Sequence, residues 1–127
     1  MHQNSKYTPI DEWLKISQIK DSGESIYQML PSDKHLGNPA IRALHGGVIT
    51  IFMERAAEIE LSDHFQSPKV AGLINTNIDF LRSAKLEPLF ASAKIVKLGR
   101  RLASFDVLAW QDKIDVPIAK AALSLKL

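Results

Sequence analysis

The sequence has 127 residues, 46% hydrophobic and 24% charged, with no cysteine and a formal charge of +2. A chain of this size buries about two-thirds of the surface its unfolded form exposes, so one core holds it without disulfides or a structural metal. So small a charge makes no electrostatic case for nucleic acid, and the longest nearly apolar run, Val48 to Met53, stops at Glu54-Arg55, far short of a membrane span. The polar start, Met1 to Lys6, lacks the apolar stretch of a secretion signal, which with the missing cysteines points to the cytoplasm.

No linker or repeat divides the chain, so residues 24–127 are expected to form one domain, preceded by a peripheral segment over 1–23. Within that segment Thr8 as N-cap and Pro9 at the first position predict a short helix over Asp11 to Ile16 that lays Trp13 and Ile16 on the domain. Ser25 to Leu30 reads as a strand, and Pro31 to Leu44, with Gly37-Asn38-Pro39, as a long loop. From Gly47 to about Ser62 the pattern predicts a helix, apolar nearly all round in its first half, as in a helix wrapped by other structure.

The remainder alternates with period two. In Val70 to Leu81 the even positions Val70, Ile74, Ile78 and Phe80 form the apolar set. Leu89, Ala91, Ala93 and Ile95, then Ala103, Phe105, Val107 and Ala109, give two more strands joined by a hairpin at Leu98-Gly99-Arg100-Arg101. After a turn at Asp112-Lys113, Pro117 to Leu127 adds a last strand with Ala119, Ala121, Leu123 and Leu125 on one face. One strand, a loop, a buried helix and four strands on mostly short connections make an antiparallel α+β protein.

His45-Gly46-Gly47 at the start of the helix, Glu54 nine positions after His45, and the run Phe80-Leu81-Arg82-Ser83-Ala84-Lys85 resemble the hotdog-fold acyl-CoA thioesterases. The likeness is to the phenylacetate-pathway and 4-hydroxybenzoyl-CoA types, and it extends over roughly residues 24–127. It implies an antiparallel sheet wrapped around a long central helix and a homodimer with active sites at the subunit interface, leaving open whether dimers pair into tetramers. His45 and Gly46 of one subunit would face Glu54 of the other.

Thioester hydrolysis needs a polariser for the carbonyl and an activated water or nucleophile. Gly46 and Gly47 let a carbonyl approach free backbone N–H groups at a helix N-terminus, and the resemblance makes the Gly46 N–H the principal donor. Burial brings carboxylates toward the range in which they take protons at neutral pH, and Glu54 stands in an apolar run. It suits either a general base or a nucleophile. His45 is a candidate for orienting the carbonyl or the loop, and Asn38 for placing the water. Arg82, Lys85, Lys97, Arg100 and Arg101, at strand ends and a hairpin, are candidates for the phosphates of CoA, each against the alternative of an ordinary solvated cation.

The chain departs from the family pattern in four places. The acid is Glu54 rather than the more frequent Asp, as in the 4-hydroxybenzoyl branch; the usual Asn or Gln six positions before the His falls on Pro39, one residue from Asn38. Arg42 stands where a small residue, often Gly, is usual, and either narrows the site or binds an acid group of the substrate. The Ser or Thr of the next strand is replaced by Leu73. Glu58 and Glu60 read as solvated or rim residues. His35, His45 and His64 lack metal-ligand spacing, so neither a metal nor a separate cofactor is expected, CoA being part of the substrate. Besides hydrolysis, a non-hydrolytic acyl-thioester binding protein and a hotdog dehydratase remain as readings of the same pattern.

Overall fold

The computed structural model describes residues 7–38, 40, 42–66 and 72–127. Met1 to Lys6, Pro39 and Val70, which figure in the expectations above, lie outside them. Helix α1, Pro9–Leu14, has Thr8 as N-cap and Pro9 in its first turn, and the Thr8 N–H donates to Asp11 Oδ2 at 2.8 Å. It ends before Ile16 because Lys15 turns left-handed, with φ 52°. Leu14 is buried, while Trp13 stays 43% exposed and meets the ring of His35 edge-on, centroids 4.3 Å apart.

Strand β1, Ile16–Asp21, was not among the expected elements. It pairs antiparallel with β2, Glu24–Met29, around Ser22-Gly23, both with positive φ (53° and 84°), the turn geometry that matches the strand twist of a two-residue hairpin. Residues 16–21 therefore belong to the sheet rather than to a peripheral segment. Between Pro31 and Leu44 the expected loop contains a 3-10 turn, Asp33–His35, and a small ribbon of β3, Leu36–Asn38, and β4, Ala43–Leu44.

Helix α2, Gly46–Phe65, is 20 residues long and ends where Gln66 turns left-handed. Val48, Ile49, Phe52, Met53, Ala56, Ala57, Ile59 and Leu61 are all buried, a set too broad for one face, as expected for a wrapped helix. Four strands follow: β5, Gly72–Phe80; β6, Leu89–Leu98; β7, Leu102–Trp110; and β8, Ala119–Lys126. The six long strands form one antiparallel sheet in the order β1-β2-β6-β7-β8-β5, with α2 packed mainly on β6 and β7. The predicted inner faces of β7 and β8 are buried throughout, and in β6 Leu89 and Ala91 are fully covered. This is the hotdog fold.

Strand β5 keeps its predicted face at Ile78 and Phe80 and departs from it at Ile74. Ile74 is 54% and Phe80 49% exposed, because β5 is the sheet edge, paired only with β8, and lies outside the main footprint of α2. Its register also shifts between Leu73 and Asn75. Leu73 lies opposite the buried Leu125, whereas Thr76, Ile78 and Phe80 lie opposite the buried Leu123, Ala121 and Ala119. The inward positions are thus odd before the bulge and even after it, with Ile74 as the extra residue.

Candidate active site

The site is built where β4 runs into α2. The His45 N–H donates to the His35 carbonyl at 2.8 Å, and the Leu44 N–H to the Ala84 carbonyl at 2.9 Å, so two segments hold the chain that enters the helix. A helix leaves its first four N–H groups without intrahelical acceptors. Here Val48 and Ile49 both donate to the His45 carbonyl (3.0 and 3.2 Å), and Gly47 donates to His45 Nδ1 at 2.9 Å. The Gly46 N–H has no partner among the described residues. His45 is thereby the N-cap, its Nδ1 engaged by Gly47.

Close contacts surround the small residues. A Cβ on Gly46 would lie 3.3 Å from Phe80 Cζ, so the ring at the end of β5 would have to give by a few tenths of an ångström. A Cβ on Gly37 would lie 2.9 Å from His45 Cα, a backbone atom that cannot give way, so Gly37 sets the approach of the ribbon to the helix start. The sequence shows Gly37 only as turn chemistry.

Glu54 is half-buried, and its Oε2 accepts the Thr76 hydroxyl at 2.9 Å. The hydroxyl that Leu73 lacks is supplied three residues later, on the same inward face of β5, because the bulge changes the parity. Glu54 follows Gly46 by eight residues, about 12 Å along the axis at 1.5 Å per residue. Within one chain, the open donor and the carboxylate do not meet at a single carbonyl.

The other predicted residues divide into two groups by location. Asn38 turns its side chain back on the ribbon, Oδ1 accepting the Ala40 N–H at 3.2 Å. Arg42 is left-handed (φ 51°), which accounts for the small residue usual there, and its exposed guanidinium pairs with Asp33 at 3.1 Å. Arg82 donates to the Pro117 carbonyl. The backbone at Lys85 is clamped by Gln111, whose Oε1 accepts the Lys85 N–H (3.0 Å) and whose Nε2 donates to the carbonyls of Lys85 and Glu87 (2.8 and 3.1 Å). Lys85 also bridges to Ala43, so Arg82 and Lys85 share the end of the sheet occupied by Gly46. Arg100 and Arg101 lie in the β6–β7 hairpin at the opposite end, roughly 30 Å away at about 3.3 Å per strand residue.

Glu58 and Glu60, expected as rim residues, are engaged instead. Arg55 makes a two-pronged pair with the buried Asp11 (2.8 and 2.9 Å) and reaches Glu58 at 3.2 Å. Burial raises the Glu58 pKa above the ordinary carboxylate value against the pull of Arg55. Glu60 accepts the hydroxyl of fully buried Tyr27 at 2.6 Å; burial first, and this bond second, push that hydroxyl's pKa well above its ordinary value. Among the described residues no group of acids and histidines is arranged to hold a metal ion, and no described helix is long and apolar enough to cross a membrane.

The sequence matches the thioesterase superfamily over residues 42–118, from Arg42 through α2 to the start of β8, and the chain belongs to this family. Thioester hydrolysis is the general class of chemistry that this membership supports. A search of curated proteins returned no match. Among solved structures, a Chromobacterium violaceum protein is 32% identical with a TM-score of 0.74, the match covering 94% of this chain and 82% of that one. A Bacillus halodurans protein solved with CoA is 17% identical with a TM-score of 0.83, covering 94% and 78%. A phenylacetic acid degradation-related protein from Ralstonia eutropha JMP134 is 18% identical with a TM-score of 0.82, covering 95% and 92%.

Proposed function

We propose that the chain hydrolyses acyl-CoA thioesters to the free acid and CoA, with the Gly46 N–H as carbonyl polariser and the partner subunit's Glu54 as general base or nucleophile. The observation that carries this is the Gly46 N–H, the one open donor among the described residues in a helix start whose other three N–H groups are satisfied. A thioester carbonyl accepting that N–H gains a donor and the positive end of α2 where negative charge develops. In the base route, water adds to the carbonyl carbon while Glu54 takes its proton; the tetrahedral species then expels the CoA thiolate, which takes up a proton. In the nucleophile route, a Glu54 oxygen displaces the thiolate, and water cleaves the resulting anhydride.

The 12 Å offset within one chain is the reason for sharing the site across two. The open edge of β5 supports a homodimer in which the two β5 strands run antiparallel, bringing the Arg100-Arg101 hairpin of one subunit toward the Gly46 end of the other, within reach of the CoA phosphates. The CoA held by the Bacillus halodurans protein of the same fold supports that choice of ester. A non-hydrolytic acyl-thioester binding protein is the second reading, favoured by Asn38, whose side-chain oxygen is already taken.

The test is free-thiol release from a panel of aryl- and fatty-acyl-CoA esters with wild type and Glu54→Gln side by side. Wild type turns over at least one ester, and the variant binds it but releases thiol at least about a hundredfold more slowly. Equal turnover in both removes Glu54 from the chemistry; saturable binding without turnover in either establishes the second reading. Mixed dimers of Glu54→Gln with Gly46→Trp regain activity if the site is shared across subunits.

A further inference from the structure

We infer that His35 is a positioning residue for the Gly46 donor, its neutral imidazole locking the turn whose carbonyl holds the start of α2. His35 closes the 3-10 turn Asp33–His35 and is 1% exposed. Its Nδ1 accepts the Ser32 N–H at 2.9 Å, so the neutral ring carries its proton on Nε2. Nε2 is buried and makes no hydrogen bond of normal geometry among the described residues, the Trp13 carbonyl acting on the ring from outside that geometry, and the ring meets Trp13 edge-on. The same residue's carbonyl accepts the His45 N–H at 2.8 Å, one residue before Gly46. Side chain and main chain of His35 thus join α1, the 3-10 turn and the helix start.

Protonation undoes this arrangement. A second ring proton would sit on Nδ1 facing the Ser32 N–H, opposing two donors and placing a charge in a buried position. The neighbouring charges reinforce the effect: Lys15 at the end of α1 and Lys34 on the turn itself are both cations, while Asp33 is drawn outward to Arg42 and the His45 ring is turned to Gly47. Burial, with the two lysines, lowers the His35 pKa from the ordinary value against the pull of the Trp13 carbonyl. The folded chain therefore binds this proton more weakly than the unfolded one. The stabilising contribution is complete above about pH 6.5 and is lost as pH falls from there through the lower folded value. The inference rests on the reading of Gly46 as carbonyl donor and adds an acid-side loss of activity that does not come from Glu54.

The full chain tests this with two variants. His35→Asn places Oδ1 near the position of Nδ1 and keeps an acceptor that does not titrate; His35→Leu removes it. On the best ester, His35→Leu lowers kcat about tenfold with KM little changed, the worth of one hydrogen bond to the turn. His35→Asn restores neutral-pH activity and carries it to lower pH than wild type. Independently of turnover, NMR follows the His35 ring nitrogens and the protection of the His45 amide, its exchange taken relative to the intrinsic rate at each pH: in wild type, protection falls as His35 protonates, and in His35→Asn that step is absent. An acid limb of His35→Asn that coincides with wild type, or His45 protection indifferent to His35 protonation, overturns the inference. If His35→Leu does not fold, His35→Asn and the exchange data decide it. If no ester is turned over, the thioesterase reading fails while the exchange measurement still decides the role of His35.

Discussion

The two halves of α2 treat their polar groups differently. From Arg55 onward, Arg55 closes on Asp11 and Glu58, Glu60 on Tyr27, and Asp63 on Gln18, joining the helix to α1, β1 and β2. From Gly46 to Glu54 the polar groups are left partly open among the described residues: a bare N–H at one end and a carboxylate held by a single hydroxyl at the other. On the proposed function the paired half is anchorage and the open half the place for chemistry, although both lie on one continuous helix in one apolar sleeve. Burial of a charge alone therefore does not distinguish a reactive group from a structural one; the completeness of its hydrogen bonding does.

The comparison breaks first at Asp11. Asp11→Ala leaves the Arg55 guanidinium buried with only Glu58, and should cost about 3 kcal/mol in urea unfolding while the folded fraction keeps its kcat. A large fall in kcat with stability intact would place the anchored half in the chemistry. Tyr27→Phe strands Glu60 and should cost about 1.5 kcal/mol by the same measurement. Thr76→Val sharpens the other side: kcat falls about tenfold, with less than about 1 kcal/mol lost in stability, because the hydroxyl serves an open carboxylate. The smallest effect is at Arg42, where glycine relieves the left-handed backbone but gives up an exposed ion pair and adds unfolded-state entropy. Arg42→Gly should leave the protein about 0.5 kcal/mol more stable. A loss of stability there would mean that the Asp33 contact outweighs the strain.

Much of this was legible from residue order. The inner faces of β7 and β8 alternate without interruption, as that of β6 does up to the register shift after Ile95, and the apolar first half of α2 marks a wrapped helix, so the layered architecture follows from periodicity. Strand β1 escaped because Ile16-Ser17-Gln18-Ile19-Lys20-Asp21 is largely polar and exposed, as edge strands are, and its partner recognition lies in the Ser22-Gly23 turn. The face of β5 follows the even positions at Ile78 and Phe80 and departs from them at Ile74, because period two assumes no bulge and Ile74 is the extra residue. His45, Gly46, Gly47 and Glu54 were visible as a local pattern. Thr76, Gln111 and Gly37 were not, because each acts on a residue that only the fold brings near. His35 was considered only as a metal ligand, since its value lies in a carbonyl and a tautomer, neither of which has a sequence signature.

The order of strands in the sheet also bears on how the chain is made. Strand β8, the last in the sequence, lies between β7 and β5, so β5 has no strand to pair with until the ribosome has delivered β6, β7 and β8. At synthesis rates of about 5–20 residues per second, the nascent chain carries a finished but unpaired β5, with Leu73, Ile74 and Phe80 exposed, for several seconds. The bulge at Ile74 is a feature of the ladder with β8, so it forms only when this last strand arrives.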